Sequence, residues 1–169
     1  MPEMTQQAAI VIVSDSAYDG EREDASGPRL SLALQELGFT VIAQSIVPDE
    51  KDMIVSTLLD LVAFETPLVI TTGGTGLGPR DVTPEATRAV MEREVPGLAE
   101  EIRRQGLNHT RFSLLSRGVV GVRDKTLIVN LPGNPDGAVD SLHAVADVLP
   151  HALKVLQSPI FQHDDKETP

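Results

Sequence analysis

Continuous apolar runs and helical stripes alternate along this chain, and their spacing predicts a succession of strands and helices. AIVIV (9–13) is apolar throughout and rich in β-branched side chains, the pattern of a buried strand. After a polar loop, Leu30, Ala33, Leu34 and Leu37 recur at helical spacing. Pro28 suits the first turn of that helix and Gly38 its C′ position. FTVIAQSIV (39–47) returns to strand character, and Ile54, Leu58, Leu61 and Val62 mark one face of a helix beginning near Lys51. PLVITT (67–72) predicts a third strand. From Thr83 the chain reads as helix, with Thr83 as N-cap, Pro84 as first helical residue and Glu85 favoured by the helix dipole. GLAEEIRRQG (97–106) predicts a short polar-faced helix and TLIVNL (126–131) a strand. A helical stripe over 135–156 is interrupted at Pro150, whereas SLLSRGVVGVR (113–123) fits neither period cleanly.

Strands that are apolar throughout, alternating with helices, indicate a mainly parallel sheet covered on both faces. With 169 residues the chain supports a single domain, expected over 1–159, followed by a polar tail over 160–169. In open α/β sheets ligands collect at the carboxyl ends of strands. Four loops therefore open on one rim: SDSAYDGEREDASG after 9–13, PDE after 39–47, TGGTGLGPRD after 67–72 and PGNP after 126–131.

Composition narrows the chemistry. The formal net charge is −11, which disfavours nucleic acid and anionic membrane surfaces as partners. The absence of cysteine removes disulfides, thiolate metal sites and a cysteine nucleophile. The opening residues carry no basic region and no apolar stretch long enough to span a membrane, so cytoplasm is the expected location. GGTGLG is neither the dinucleotide fingerprint nor a Walker-type loop, and no nucleophile elbow occurs. His109, His143, His151 and His163 lack metal-ligand spacing.

What remains is a glycine-rich turn running into a helix, which directs backbone N–H groups at an anion or merely punctuates the chain. Arg80 adds charge-assisted bonds in the first case. Asp81 makes sense beside such a turn when a cation lies between acid and phosphate, or when the acid holds a polar ring or hydroxyl. Taken singly, each neighbour has a plain reading. Asp49 suits an N-cap, Asp15 and Asp24 suit loop turns, and Ser14 and Ser26 suit caps. Arg117 suits a surface charge, and Asn134 suits a turn between two prolines. Their shared place on one rim raises the functional reading of the set.

Together these stretches resemble the MoaB/Mog family of molybdopterin-binding proteins. TTGGTGLGPRDVTPEAT resembles the family's signature, and SDSAYDGEREDASG its first loop, with Ser14, Asp15, Gly20, Asp24, Ser26 and Gly27 at the expected spacing. VPDE supplies Asp49, and LSRGVVGVRDKTLIVNLPGNP matches the later elements. The similarity spans about residues 8–156. Molybdate-inserting relatives resemble GGxSxGxxD in the glycine loop, whereas Thr75 stands here.

The resemblance implies a three-layer α/β sandwich with a mainly parallel central sheet, assembling as a homotrimer. It implies adenylyl transfer from ATP to molybdopterin with Mg²⁺, with release of pyrophosphate and hand-over to a molybdate-insertion protein. Asp49 and Asp81 carry over as the critical carboxylates, with Asp49 also at the metal. Thr72, Gly73, Gly74, Thr75, Gly76, Arg80, Ser116 and Arg117 carry over to molybdopterin. Ser14, Asp15, Asp24, Ser26, Gly27, Pro132, Gly133 and Asn134 carry over to the nucleotide. The alternative is a molybdopterin-binding protein or trimeric scaffold that performs no adenylylation.

Overall fold

A computed structural model describes residues 6–158; the polar tail expected at 160–169 lies outside them. Six strands form one sheet: β1 (Gln6–Val13), β2 (Phe39–Val47), β3 (Leu68–Thr72), β4 (Arg93–Glu94), β5 (Val120–Arg123) and β6 (Thr126–Leu131). Their spatial order is β2-β1-β3-β6-β5-β4. The first four in that order run parallel, while β5 and β4 continue the sheet antiparallel. The expected mainly parallel sheet is therefore present, with an antiparallel edge.

The described residues form seven α-helices, α1 (Asp15–Tyr18), α2 (Ser26–Glu36), α3 (Lys51–Ala63), α4 (Thr83–Val90), α5 (Pro96–Gly106), α6 (Pro135–Val145) and α7 (Leu149–Gln157), and all but α1 pack buried side chains inward. In β1, Ala8, Ile10 and Ile12 face a core shared with Leu30 and Leu34 of α2, Ile102 of α5, Leu142 of α6 and Leu153 of α7. The intervening Ala9, Val11 and Val13 face a second core with Ile54 and Leu58 of α3 and Ala86 and Val90 of α4. Successive side chains of a strand point to opposite faces, so a strand covered on both sides reads as an unbroken apolar run. The result is three layers. No helix among the described residues is long and apolar enough to cross a membrane.

Three boundaries differ from the pattern. The ambiguous stretch divides into a 3₁₀ turn, Arg111–Leu115, and β5. Two-residue β4 shows no period at all. The last helical stripe breaks after Val145, and α7 begins one residue before Pro150, where a missing N–H costs nothing.

One buried polar residue ties the layers beneath the rim. Asn130 of β6 donates through Nδ2 to Thr71 Oγ1 and to Thr87 Oγ1, each at 2.9 Å. Its Oδ1 accepts from the Val119 N–H at 3.2 Å. Sheet, α4 and the approach to β5 thus share one satisfied amide, the condition under which a buried polar group is tolerated.

Candidate active site at the carboxyl rim

A cleft of about 360 Å³ opens at the carboxyl end of the parallel strands. It is lined from all four loops picked out by the strand pattern, through Ser14, Asp24 and Ser26, through Asp49, through Thr72, Gly73, Gly74 and Asp81, and through Gly133 and Asn134.

The glycine turn at the end of β3 is shaped by close approach. Gly73 and Gly74 have φ of +99° and +67°, in the left-handed region that side chains resist. A Cβ on Gly73 would lie 2.3 Å from the Val13 carbonyl oxygen, and one on Gly74 would lie 2.3 Å from Thr83 Oγ1 and 3.2 Å from Asp49 Oδ1. A Cβ on Gly133 would stand 3.2 Å from Gly73 Cα. The Gly73 N–H donates to Leu131 O at 3.1 Å, and Thr72 Oγ1 donates to Pro132 O at 2.8 Å. The β3 and β6 loops are thereby locked together by one main-chain and one side-chain bond.

Thr83 is not the N-cap. It is the first residue of α4, and its hydroxyl donates to Gly73 O at 2.9 Å. The turn supplied a stronger use for that hydroxyl than its own helix did.

Asp49 is not the N-cap of α3 either; Glu50 holds that position. Instead Asp49 and Asp15 are reciprocally bonded. The Asp15 N–H donates to Asp49 Oδ2 and the Asp49 N–H to Asp15 Oδ1, both at 2.9 Å. Arg80 crosses from the glycine loop and grips Asp15 with both nitrogens of its fork, Nε to Oδ2 at 2.6 Å and a terminal nitrogen to Oδ1 at 2.9 Å. The consequences for the two acids are opposite. The Arg80 hydrogen bond, aided by the Asp49 N–H, holds the Asp15 carboxyl below its usual value. Burial pushes Asp49 above its usual value, and the negative charges of Asp15 and Asp81 add to that. The Asp15 N–H and Arg80 oppose the shift without cancelling it.

Asp81 is set by its own loop. Its Oδ2 accepts from the Gly78 N–H at 2.8 Å, and its N–H donates to Gly78 O at 3.0 Å. Arg117 stitches the loop from outside, donating from Nε to Gly76 O at 2.8 Å, from a terminal nitrogen to Asp81 O at 2.7 Å, and to Glu85. That hydrogen bond holds the Glu85 carboxyl below its usual value. The Arg117 N–H also donates to Thr75 O at 2.9 Å.

Ten of the residues carried over from the sequence therefore line one cleft, while Asp15, Gly27, Thr75, Gly76, Arg80, Ser116, Arg117 and Pro132 are not in its lining. Several in the lining serve as caps. Ser14 Oγ accepts from the Ala17 N–H at 3.2 Å, and Asn134 Oδ1 from the Gly137 N–H at 3.0 Å. Asp24 accepts from the Ser26 and Gly27 N–H groups. Ser26 Oγ donates to Gly133 O at 2.9 Å, joining the first loop to the last. Cap and cleft wall are compatible roles, because the cap fixes the main chain that faces the cavity. Sequence reasoning passed over Arg22, Glu23 and Pro135, which also line the cleft. In a run such as EREDAS a charged side chain reads as solvated, and only the fold shows which of these exposed residues border the cleft.

Comparison with known proteins gives one family. The model of the "Probable molybdopterin binding domain" matches residues 9–151. Molybdopterin adenylyltransferase of Helicobacter pylori (strain J99) is 36% identical over 165 residues, 96% of this chain and 94% of that protein. The molybdenum cofactor synthesis protein cinnamon of Drosophila melanogaster is 38% identical over 149 residues, and the match spans only 25% of that protein. Among solved structures, the molybdopterin biosynthesis enzyme MoaB from Thermus thermophilus superposes with a TM-score of 0.86 at 48% identity, covering 93% of this chain and 99% of that one.

Proposed function

The chain belongs to the molybdopterin-binding domain family, and from that membership we propose that it is a molybdopterin adenylyltransferase acting through the carboxyl-rim cleft. The observation that carries the reading is the convergence of Asp49, Asp81 and the Gly73–Gly74 turn on one cavity, from three separate loops. The 36% identity with an adenylyltransferase along almost the whole chain supports the same reaction.

In that reaction a terminal phosphate oxygen of molybdopterin attacks the α-phosphorus of ATP. One phosphorus–oxygen bond forms, the bond to the β-phosphate breaks, and pyrophosphate leaves with the bonding pair. Both reactants are polyanions, so the protein's task is alignment and charge management rather than covalent participation. The Gly73 N–H is taken by Leu131 O, so the N–H groups of Gly74, Thr75 and Gly76 hold the molybdopterin phosphate. The loop ends at Ser14, Ser26 and Gly133–Asn134 face the nucleotide.

Asp49 and Asp81 both line the cleft, and Mg²⁺ is commonly held by one or two carboxylates together with substrate phosphates, so the donor set fits a divalent cation. Asp49 and Asp81 would hold it, and when bound it would neutralise charge on the triphosphate. Asp15 fixes the Asp49 main chain and carboxylate together, so that Asp49 reaches the cleft in one orientation. Assembly as a homotrimer, a cytoplasmic location and hand-over of product to a molybdate-inserting protein belong to the same proposal.

The test is pyrophosphate release from ATP, molybdopterin and Mg²⁺ by the full chain. Asp49→Ala should lower turnover by about 100-fold or more, the scale set by losing one electrostatic stabiliser. Normal turnover in that variant would remove Asp49 from the chemistry. No product from the unmutated chain would return the protein to a binding or scaffold role.

A further inference from the structure

The family resemblance assigns Arg80 and Arg117 to molybdopterin, yet both guanidinium groups are already engaged. Arg80 is bidentate on Asp15, and Arg117 is divided among Gly76 O, Asp81 O and Glu85. Arg29 is paired with Asp136, and Arg103 bonds the Gly118 carbonyl. Arg22 differs from all of these. It is the one cationic residue lining the cleft, and among the described residues its guanidinium has no hydrogen-bond or ion-pair partner.

The main chain beneath it is anchored. Gly20, at φ +75°, reverses the chain after α1, and the Glu21 and Arg22 N–H groups both donate to Ser16 O, at 2.9 and 3.2 Å. A fixed backbone thus carries a long, uncommitted cation at a cavity whose other charged walls are Glu23, Asp24, Asp49 and Asp81. In a protein of formal net charge −11 a carboxylate partner is easily found, and Asp15 and Glu85 show that rim arginines find one. Arg22 is exposed, as a solvated loop arginine would be; what sets it apart is that it is the one cationic residue among those lining the cleft.

We propose that Arg22 is a phosphate-binding residue of this cleft, its planar fork closing on a phosphoryl group of the incoming substrate. The inference rests on the adenylyltransferase reading. A guanidinium matches two phosphate oxygens at once, and such charge-assisted pairs are strong even near solvent. Two substrates carry phosphate. Arg22 shares its loop with Ser26, whose hydroxyl joins Gly133, so the triphosphate of ATP is the expected source.

The experiment is calorimetric titration of ATP, adenosine and molybdopterin, each separately in Mg²⁺ buffer, into the full chain and its Arg22→Gln and Arg22→Lys variants, with initial rates measured in parallel. Arg22→Gln should weaken ATP binding by about tenfold or more, the scale of one hydrogen bond to a charged group. Adenosine affinity should not change, KM for ATP should rise while kcat holds within about twofold, and Arg22→Lys should recover part of the loss. A selective loss of molybdopterin affinity supports the same phosphate role with the pterin as source. Wild-type affinity of Arg22→Gln for both ATP and molybdopterin would overturn the inference, as would an unmutated chain that binds neither. An unmutated chain that binds ATP but transfers no AMP would end the proposed reaction and leave the Arg22 role to the binding arm.

Discussion

Gly38 and Gly74 both bend the chain through positive φ, at +90° and +67°, but at opposite ends of the parallel sheet. Gly38 follows α2 and feeds β2 at its amino end; a Cβ there would meet nothing within 4 Å. Gly74 leaves β3 at the carboxyl end, where a Cβ would strike Thr83 Oγ1 and crowd Asp49. The first glycine answers to backbone conformation alone. The second answers to conformation, to crowding and to a carboxylate facing a cleft. The same residue type is punctuation at one end of the sheet and part of a binding surface at the other.

Substitution should expose that difference. Gly74→Val is expected to have the largest effect, about 2–4 kcal/mol of lost stability. The sum combines a left-handed β-branched residue with displacement of the Thr83 hydroxyl from Gly73 O. Molybdopterin affinity should fall with it; a denaturant midpoint and an affinity both at wild-type values would show the turn to be mere punctuation.

Gly38→Ala should cost about 1 kcal/mol, the conformational penalty by itself, and leave substrate binding untouched. Loss of molybdopterin affinity here would mean the two ends are coupled, and the contrast between them would fail.

The smallest effect should be Asp49→Asn, and its sign is opposite. The folded-state value of Asp49 is raised, so its contribution to stability is fully present below the unfolded carboxylate value and lost as pH rises through the folded value. The asparagine lacks that loss while still able to accept from the Asp15 N–H. Thermal midpoints measured from about pH 3 upward should coincide with wild type at the acid end and exceed it near neutrality. A variant less stable than wild type near pH 7 would show Asp49 to be structural rather than strained for function.

Much of this organisation was legible in the sequence. The run at 126–131 coincides with β6, buried along its whole length, because a strand covered on both faces leaves no polar alternation to confuse it. The run at 39–47 coincides with β2, an edge strand whose side chains alternate in exposure. Thr83 and Asp49 were legible as important but misread as caps, since a hydroxyl or carboxylate before a helix has the same local pattern whether it bonds its own helix or a distant loop. Asn130 was hidden inside a strand, and its role depends on Thr71 and Thr87 arriving from elsewhere.

By itself, then, the sequence determined the order of the main strands and helices, the glycine-rich turn after 67–72, and the rim to which four loops belong. Those properties follow from local sterics and from periodic burial. Only the tertiary structure decided which charges are answered within the protein. It gave Arg80 to Asp15 and Arg117 to the glycine loop, left Arg22 without a partner among the described residues, and brought Asp49 and Asp81 to one cleft. Pairing depends on distances between segments far apart in the chain, and those distances exist only once the sheet has assembled.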